Sequence, residues 1–196
     1  MNYQAKKFEY LIDLEGFSEQ LLNNHFTLYQ GYVANTNKLN DTLVNMEKEG
    51  KFNNPEYAEL NRRFGWEFNG MRLHEYYFGN LTKKRQEINK NSKLFSAILQ
   101  EFESYEMWEK DFKSMGTMRG IGWVILYRDK EADRLFNVWV NEHDAGHLSG
   151  AEPILVMDVF EHAFMLDYGL KKVDYVESFF KIIDWEVANA RYTQSK

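Results

Sequence analysis

The sequence predicts an α+β protein: an N-terminal antiparallel helical hairpin, followed by a C-terminal half with a small three-stranded antiparallel sheet and helices. Three observations carry this prediction. Before Leu81, apolar residues recur at spacings of three and four in two long blocks separated by one break. Beyond Gly120, two runs dense in β-branched and aromatic residues, Trp123 to Tyr127 and Leu135 to Val140, are joined by a polar turn. A third apolar run, Pro153 to Met157, reads as a buried strand. The chain has 196 residues, enough for one large domain or two small ones sharing a core. We divide it into a helical hairpin domain, 1–90, and an α+β domain, 91–196.

Ser18 is the expected N-cap of the first helix, in which Leu21, Leu22, His25, Phe26, Tyr29, Tyr32 and Val33 form one face that continues into the forties. Gly50, Asn53, Asn54 and Pro55 then break the pattern, with Pro in the first turn of a second helix reaching about Leu81. Gly65 and Gly70 lie inside that helix, where they cost propensity but permit close packing. The stretch "TKKRQEINKNSK" interrupts the apolar periodicity for longer than a turn requires, and marks the domain boundary. Two shorter helices precede the strands. After the third strand the pattern turns helical again from Glu161, and Asp174 begins a final amphipathic helix carrying Tyr175, Phe179, Phe180, Ile183 and Trp185.

Composition excludes several functions. A net charge of −6 with no sustained basic run argues against a nucleic-acid surface or an anionic membrane. Without cysteine there are neither disulfides nor thiolate ligands, so a metal must be held by His, Asp, Glu, Tyr or water. The N-terminal residues carry Lys6, Lys7, Glu9, Asp13 and Glu15 and contain no signal-peptide apolar core. No run approaches the ~20 apolar residues of a membrane span. A cytoplasmic protein is expected.

The most informative residues are the five histidines, His25, His74, His143, His147 and His162. In "MDVFEHAFMLDY", Asp158, Glu161 and His162 stand among strongly apolar neighbours, where desolvating a charge costs several kcal/mol. Asp158 and His162 are spaced i, i+4, and would face one ion either from a shared helix or across a turn that ends the strand. His25 and His74 sit on the apolar faces of the two hairpin helices. A site between the halves would therefore collect three imidazoles and a carboxylate, a set suited to iron, manganese or zinc. Taken singly, each histidine is more often a hydrogen-bonded core residue, and Asp158 and Glu161 equally read as helix-start groups.

"DVFEHAFMLDYGLKKVDYVESFFKIIDW" resembles the C-terminal signature of the iron/manganese superoxide dismutases, D-x-W-E-H-A-Y-Y followed by a D-Y-V…F…N-W helix. "HFTLYQGYVANTNKL" and "EFNGMRLHEYY" resemble that family's two ligand helices, "LFSAILQEFESYEMWEKDF" its linking helices, and "GIGW" its G-S-G-W. The resemblance implies disproportionation of superoxide to dioxygen and hydrogen peroxide at one iron or manganese ion per subunit, held by His25, His74, Asp158 and His162. It implies that Tyr32 stands at the mouth of the substrate channel, that Trp123 walls the metal pocket, and that Glu161 bridges to the partner's His162 in a homodimer, or in a tetramer built from it. The family sets a hydrogen-bonding Gln against the solvent beside the metal, often four residues before the second ligand. That position is Gly70 here, and "NEHDAGH" resembles a branch in which His takes the role, which points to His143. His147 has a match in that branch and is expected to be structural.

The chain departs from the family pattern in several places. Most members separate the first ligand His from the channel Tyr by eight residues; His25 and Tyr32 are seven apart. At about 100° per residue, seven returns to nearly the same helix face while eight overshoots, so a member with eight needs a widened turn that this chain does not. Phe78 and Phe160 stand where Trp is usual, Phe164 where Tyr is, Leu170 where Asn is, and Lys172 where Arg is. Two rival readings accompany the main one: a superoxide-dismutase-like scaffold with weak or no turnover, and a different metalloenzyme, a non-haem iron oxygenase or zinc hydrolase, using a similar ligand set.

Overall fold

Helix α1 (Glu19–Lys48) begins where the Ser18 side chain accepts a hydrogen bond from the Leu21 N–H at 3.1 Å. Ser18 is itself held by Asp167, whose carboxylate accepts from the Ser18 N–H and Oγ–H at 2.7 and 2.6 Å. Helix α2 (Pro55–Gly79) is capped by Asn54, with Pro in its first turn. The two run antiparallel, since Glu47 meets Tyr57, Asn35 meets Glu67 and Tyr29 meets Glu75. The computed structural model describes residues 2–194. Ahead of α1 the chain crosses this hairpin: the Lys6 N–H donates to Tyr29 Oη, and the Lys6 ammonium pairs with Glu75. A 3₁₀ turn at Glu9–Leu11, without a periodic signal, follows.

Residues 82–92 form neither helix nor strand. Serines cap the next two helices, α3 (Lys93–Phe102) and α4 (Tyr105–Gly116). The sheet that follows has the order β2-β1-β3, with β1 (Trp123–Asp129) antiparallel to both β2 (Arg134–Val140) and β3 (Glu152–Asp158). Val124, Ile125 and Leu126 are fully buried, as a central strand covered on both faces requires. The register sets Trp123 opposite Val140 on one side and Asp158 on the other, which brings Trp123 and Asp158 to the same end of the sheet.

The C-terminal region corrects one expectation. In place of a single helix from Asp174 there are a short α5 (Met165–Tyr168), then α6 (Lys172–Lys181) and α7 (Trp185–Gln194). The break comes from Asp184, whose carboxylate accepts from the N–H groups of Glu186 and Val187 and so starts a new helix. It is reinforced by Ile183, which forms a bridge with Leu81. The apolar spacing runs through both helices, so periodicity alone hides the interruption.

Asn80, fully buried at the end of α2, joins the two halves. Its Nδ2 donates to the carbonyls of Tyr77 and Val156, and its Oδ1 accepts from the Val156 N–H and from Arg191. Replacing it by Ala leaves several buried backbone groups unpaired. Asn80→Ala is expected to cost about 3 kcal/mol in urea unfolding, and a loss under 1 kcal/mol would contradict this role. No helix among the described residues is long and apolar enough to cross a membrane.

Candidate metal centre

Four side chains from both halves converge between the hairpin and the sheet. His25 projects from α1, His74 from α2, Asp158 from the last position of β3, and His162 from a 3₁₀ turn at Glu161–Ala163. Of the two geometries open for Asp158 and His162, the strand-end one is found. Asp158 Oδ1 accepts from the Phe160 N–H at 2.8 Å, which folds the chain back so that His162 Nε2 lies 3.1 Å from Asp158 Oδ2. His25 Nε2 lies 3.1 Å and His74 Nε2 3.7 Å from the same oxygen, and the four ligand atoms lie within 4.8 Å of one another. His25, His74 and Asp158 are buried; the His162 side chain is 28% exposed.

The donor set fits a divalent or trivalent cation. His74 Nδ1 lies 2.6 Å from the Gly70 carbonyl, which can only accept, so Nδ1 carries the proton and Nε2 presents a lone pair. That lone pair is buried, has no hydrogen-bond partner and faces a carboxylate oxygen. Two acceptors face each other out of water, an arrangement costing about 1–3 kcal/mol for the unpaired group and relieved by a cation between them. His25 Nδ1 is likewise buried without a partner. Burial holds His25 and His74 below the usual imidazole range, so both are neutral, as ligation requires. Burial opposes ionisation of Asp158, but the facing His162 and His25 outweigh it and draw the carboxyl far below its usual range.

Around this cluster the chain builds a wall of aromatic groups. Helix α1 is α-helical throughout its length, and Tyr32, two turns after His25, stacks on the His74 ring with centroids 5.2 Å apart. Its hydroxyl lies 2.7 Å from His143 Nε2. The seven-residue spacing therefore keeps Tyr32 on the face that carries the first histidine. Gly70 permits this: a Cβ there would stand 2.6 Å from the Tyr32 ring. Trp123 packs edge-on against His74 and donates its indole N–H to His143 Nδ1 at 3.1 Å. His147 Nε2 lies 2.8 Å from the His143 carbonyl, and Tyr127 Oη 2.6 Å from His147 Nδ1, which anchors the His143 backbone.

Glu161 is exposed on the single chain, where it makes no hydrogen bond or ion pair among the described residues. The strand leading to Asp158 and the residues that follow His162 take up the apolar positions, and the 3₁₀ turn points Glu161 outward.

Further residues complete the shell: Trp66 was not singled out in the sequence, and Phe160 and Tyr175 were noted there without a contact to the site. Trp66 stands edge-on to His143 at 4.7 Å, with the Arg63 guanidinium over its outer face. Phe160 stacks on both His143 and His162, at 4.7 and 5.3 Å. Tyr175 donates to the Asp158 carbonyl at 2.6 Å. Trp66 lies eight positions before His74 on the same helix, a placement that periodicity alone does not single out.

Burial depresses the His143 imidazole to about 4 from its ordinary 6.5. The unfolded chain then binds more protons than the folded one between these values, so stability from this group is complete above about pH 6.5 and lost as pH falls through 4. The loss is about 3 kcal/mol, and Asp158 adds to it at still lower pH. Urea unfolding of the metal-free chain is expected to follow this slope; a flat profile from pH 7 to 4 would contradict it.

Residues 90–191 match the family model described as iron/manganese superoxide dismutases, C-terminal domain. The protein named manganese superoxide dismutase 2 of Haloferax volcanii is 35% identical over 198 residues, spanning 100% of this chain and 98% of that relative. Those named iron superoxide dismutase from Cupriavidus metallidurans and Aquifex pyrophilus are 34% and 31% identical, over 91% and 93% of this chain and 90% and 87% of theirs.

Proposed function

The chain belongs to the iron/manganese superoxide dismutase family, and from that premise we propose that it disproportionates superoxide to dioxygen and hydrogen peroxide, using one iron or manganese ion held by His25, His74, Asp158 and His162. The observation that carries this reading is the buried, partnerless Nε2 of His74, facing the Asp158 oxygen at 3.7 Å. When bound, the metal supplies one-electron redox chemistry, between 3+ and 2+, and Lewis acidity.

The protein groups have separate tasks. Asp158 supplies the one negative charge among the four ligands, and the neutral imidazoles leave a net positive centre that attracts an anion despite the overall −6. Trp66, Trp123 and Phe160 exclude water, which strengthens every electrostatic contact inside. Tyr32 and His143 form the hydrogen-bonded pair next to the ligands, and protons for peroxide formation pass by way of such groups. We read residues 1–90 and 91–196 as two domains that each contribute two ligands. We also read the protein as cytoplasmic.

We further infer a homodimer in which Glu161 reaches the partner's His162. Supporting this, Glu161 and His162 line one surface depression with the exposed apolar side chains Met165 and Leu166. Elemental analysis of purified protein tests the metal assignment. About one iron or manganese per chain is expected; stoichiometric zinc would favour the hydrolase reading instead.

A further inference from the structure

The stretch between α2 and α3, longer than a turn requires, walls a cavity of about 520 Å³ that none of the residues around the metal ligands lines. Its other walls come from α3, α4, α6 and the first residue of α7. Pockets for small molecules occupy about 300–1,000 Å³. Phe95 and Tyr105 stack with centroids 6.1 Å apart, and the Trp185 ring stands edge-on to Tyr105 at 6.1 Å. With Leu99 and Phe180 they give the cavity flat apolar faces of the kind that hold an aromatic ring.

Two hydrogen-bond donors in these walls have nothing to donate to. The indoles of Trp108 and Trp123 donate to Asn137 and His143. The N–H of Trp185 has no acceptor among the described residues, although the residue is only 5% exposed. The Tyr105 hydroxyl is likewise without a partner among the described residues, and burial beside Glu109, Glu106 and Glu87 raises it above its usual range, so it keeps its proton. The lining carries four glutamates and, from Arg85 and three lysines, four cations, so its charges cancel. Lys113 is already occupied, pairing with Glu109 and Glu177 at 2.7 Å each while lying over the Phe180 ring. A charged ligand would leave water for a site with no net charge to receive it, whereas an uncharged one meets no such cost.

We propose that this cavity is a second binding site, for an uncharged, flat aromatic molecule bearing a carbonyl oxygen: the ring lies against Phe95, Tyr105 and Phe180, and the oxygen accepts from the Trp185 N–H. A carbonyl oxygen has two lone pairs, so the Tyr105 hydroxyl can serve it as a second donor. The site goes beyond the dismutase reading and does not rest on it, because no metal ligand takes part.

The test uses coumarin, an uncharged aromatic lactone, titrated into the full-length chain labelled with ¹⁵N at tryptophan and loaded with diamagnetic zinc. The chain has five tryptophans. The Trp185 indole resonance is assigned by its loss in Trp185→Phe or, should that variant not fold, by its contact with the Tyr105 ring. It is expected to move along a saturating curve with a Kd of about 0.1–1 mM, while the other four indoles stay in place. Leu99→Glu, at an exposed lining position, is expected to weaken binding about tenfold or more, as is replacing coumarin by the anion coumarin-3-carboxylate. No saturable movement at Trp185, equal movement of all five indoles, unchanged binding to Leu99→Glu, or equal affinity for the anion would overturn the proposal. So would a Trp185 shift that follows protein concentration without coumarin, which would mark the cavity as a contact between copies of the chain.

Discussion

Asp158→Asn is expected to abolish metal retention and, with it, superoxide turnover, while leaving the fold intact. The carboxylate is the only anion in the cluster, and its Oδ2 is the atom around which all three imidazole nitrogens gather. An amide of the same shape retains an oxygen to accept from the Phe160 N–H, and the Tyr175 bond goes to the backbone carbonyl, which is unaffected. Far-ultraviolet circular dichroism should therefore match the parent. Metal content should fall below about a tenth of an ion per chain, because a hard cation loses its only charged ligand. The linked effect is thermal: a ligand that binds only the folded state stabilises it by about 2.7 kcal/mol at a hundredfold excess over Kd. Added manganese should thus raise the Tm of the parent and leave that of the variant unchanged. Equal metal content in both would remove Asp158 from the ligand set.

Gly70→Ala has the second-largest expected effect, and its sign has to be decided between opposing contributions. Alanine in a helix interior gains about 1 kcal/mol over glycine. Here the new Cβ would lie 2.6 and 2.7 Å from two carbons of the Tyr32 ring, which is itself stacked on His74. Overpacking of this kind costs about 1–3 kcal/mol, and steric conflict is expected to win, with a net loss of about 1 kcal/mol. The functional loss should be larger than the loss of stability. Displacing Tyr32 from His143 by about 1 Å is expected to reduce turnover by up to 10²-fold, with metal content little changed because the three atoms nearest the added Cβ all belong to the Tyr32 ring. A variant with full turnover would show that the close approach of α1 and α2 at this point has no bearing on the chemistry.

Much of this architecture was legible in the sequence because its signals are local. Ser18 and the Asn54-Pro55 pair mark helix starts by their own hydrogen-bonding chemistry. The three strands follow from β-branched and aromatic runs that no helix face would arrange. The candidate ligands Asp158 and His162 stand out by their spacing among apolar neighbours, and the order of several motifs brought in His25 and His74.

What stayed hidden depends on contacts between distant segments. Trp66 encloses His143 from a helix and carries no mark in its own neighbourhood to say so, while Phe160, marked only as a departure from the family's Trp, encloses it from a turn. Gly70 reads as a helix glycine that permits close packing, but which group approaches it, the Tyr32 ring, is set by the neighbouring helix and has no local signal. The interruption between α6 and α7 depends on Asp184 capping a helix whose apolar spacing continues unbroken from the one before.

Relatives named for manganese and for iron resemble this chain at similar identity, so the ligand set alone leaves the choice of metal to experiment. The most direct test of the whole account is the decay of superoxide followed by stopped-flow absorbance, with the chain reconstituted separately with iron and with manganese. Decay proportional to enzyme concentration, well above that of the same concentration of free ion, is expected for at least one metal. Decay no faster than free ion for both would contradict it.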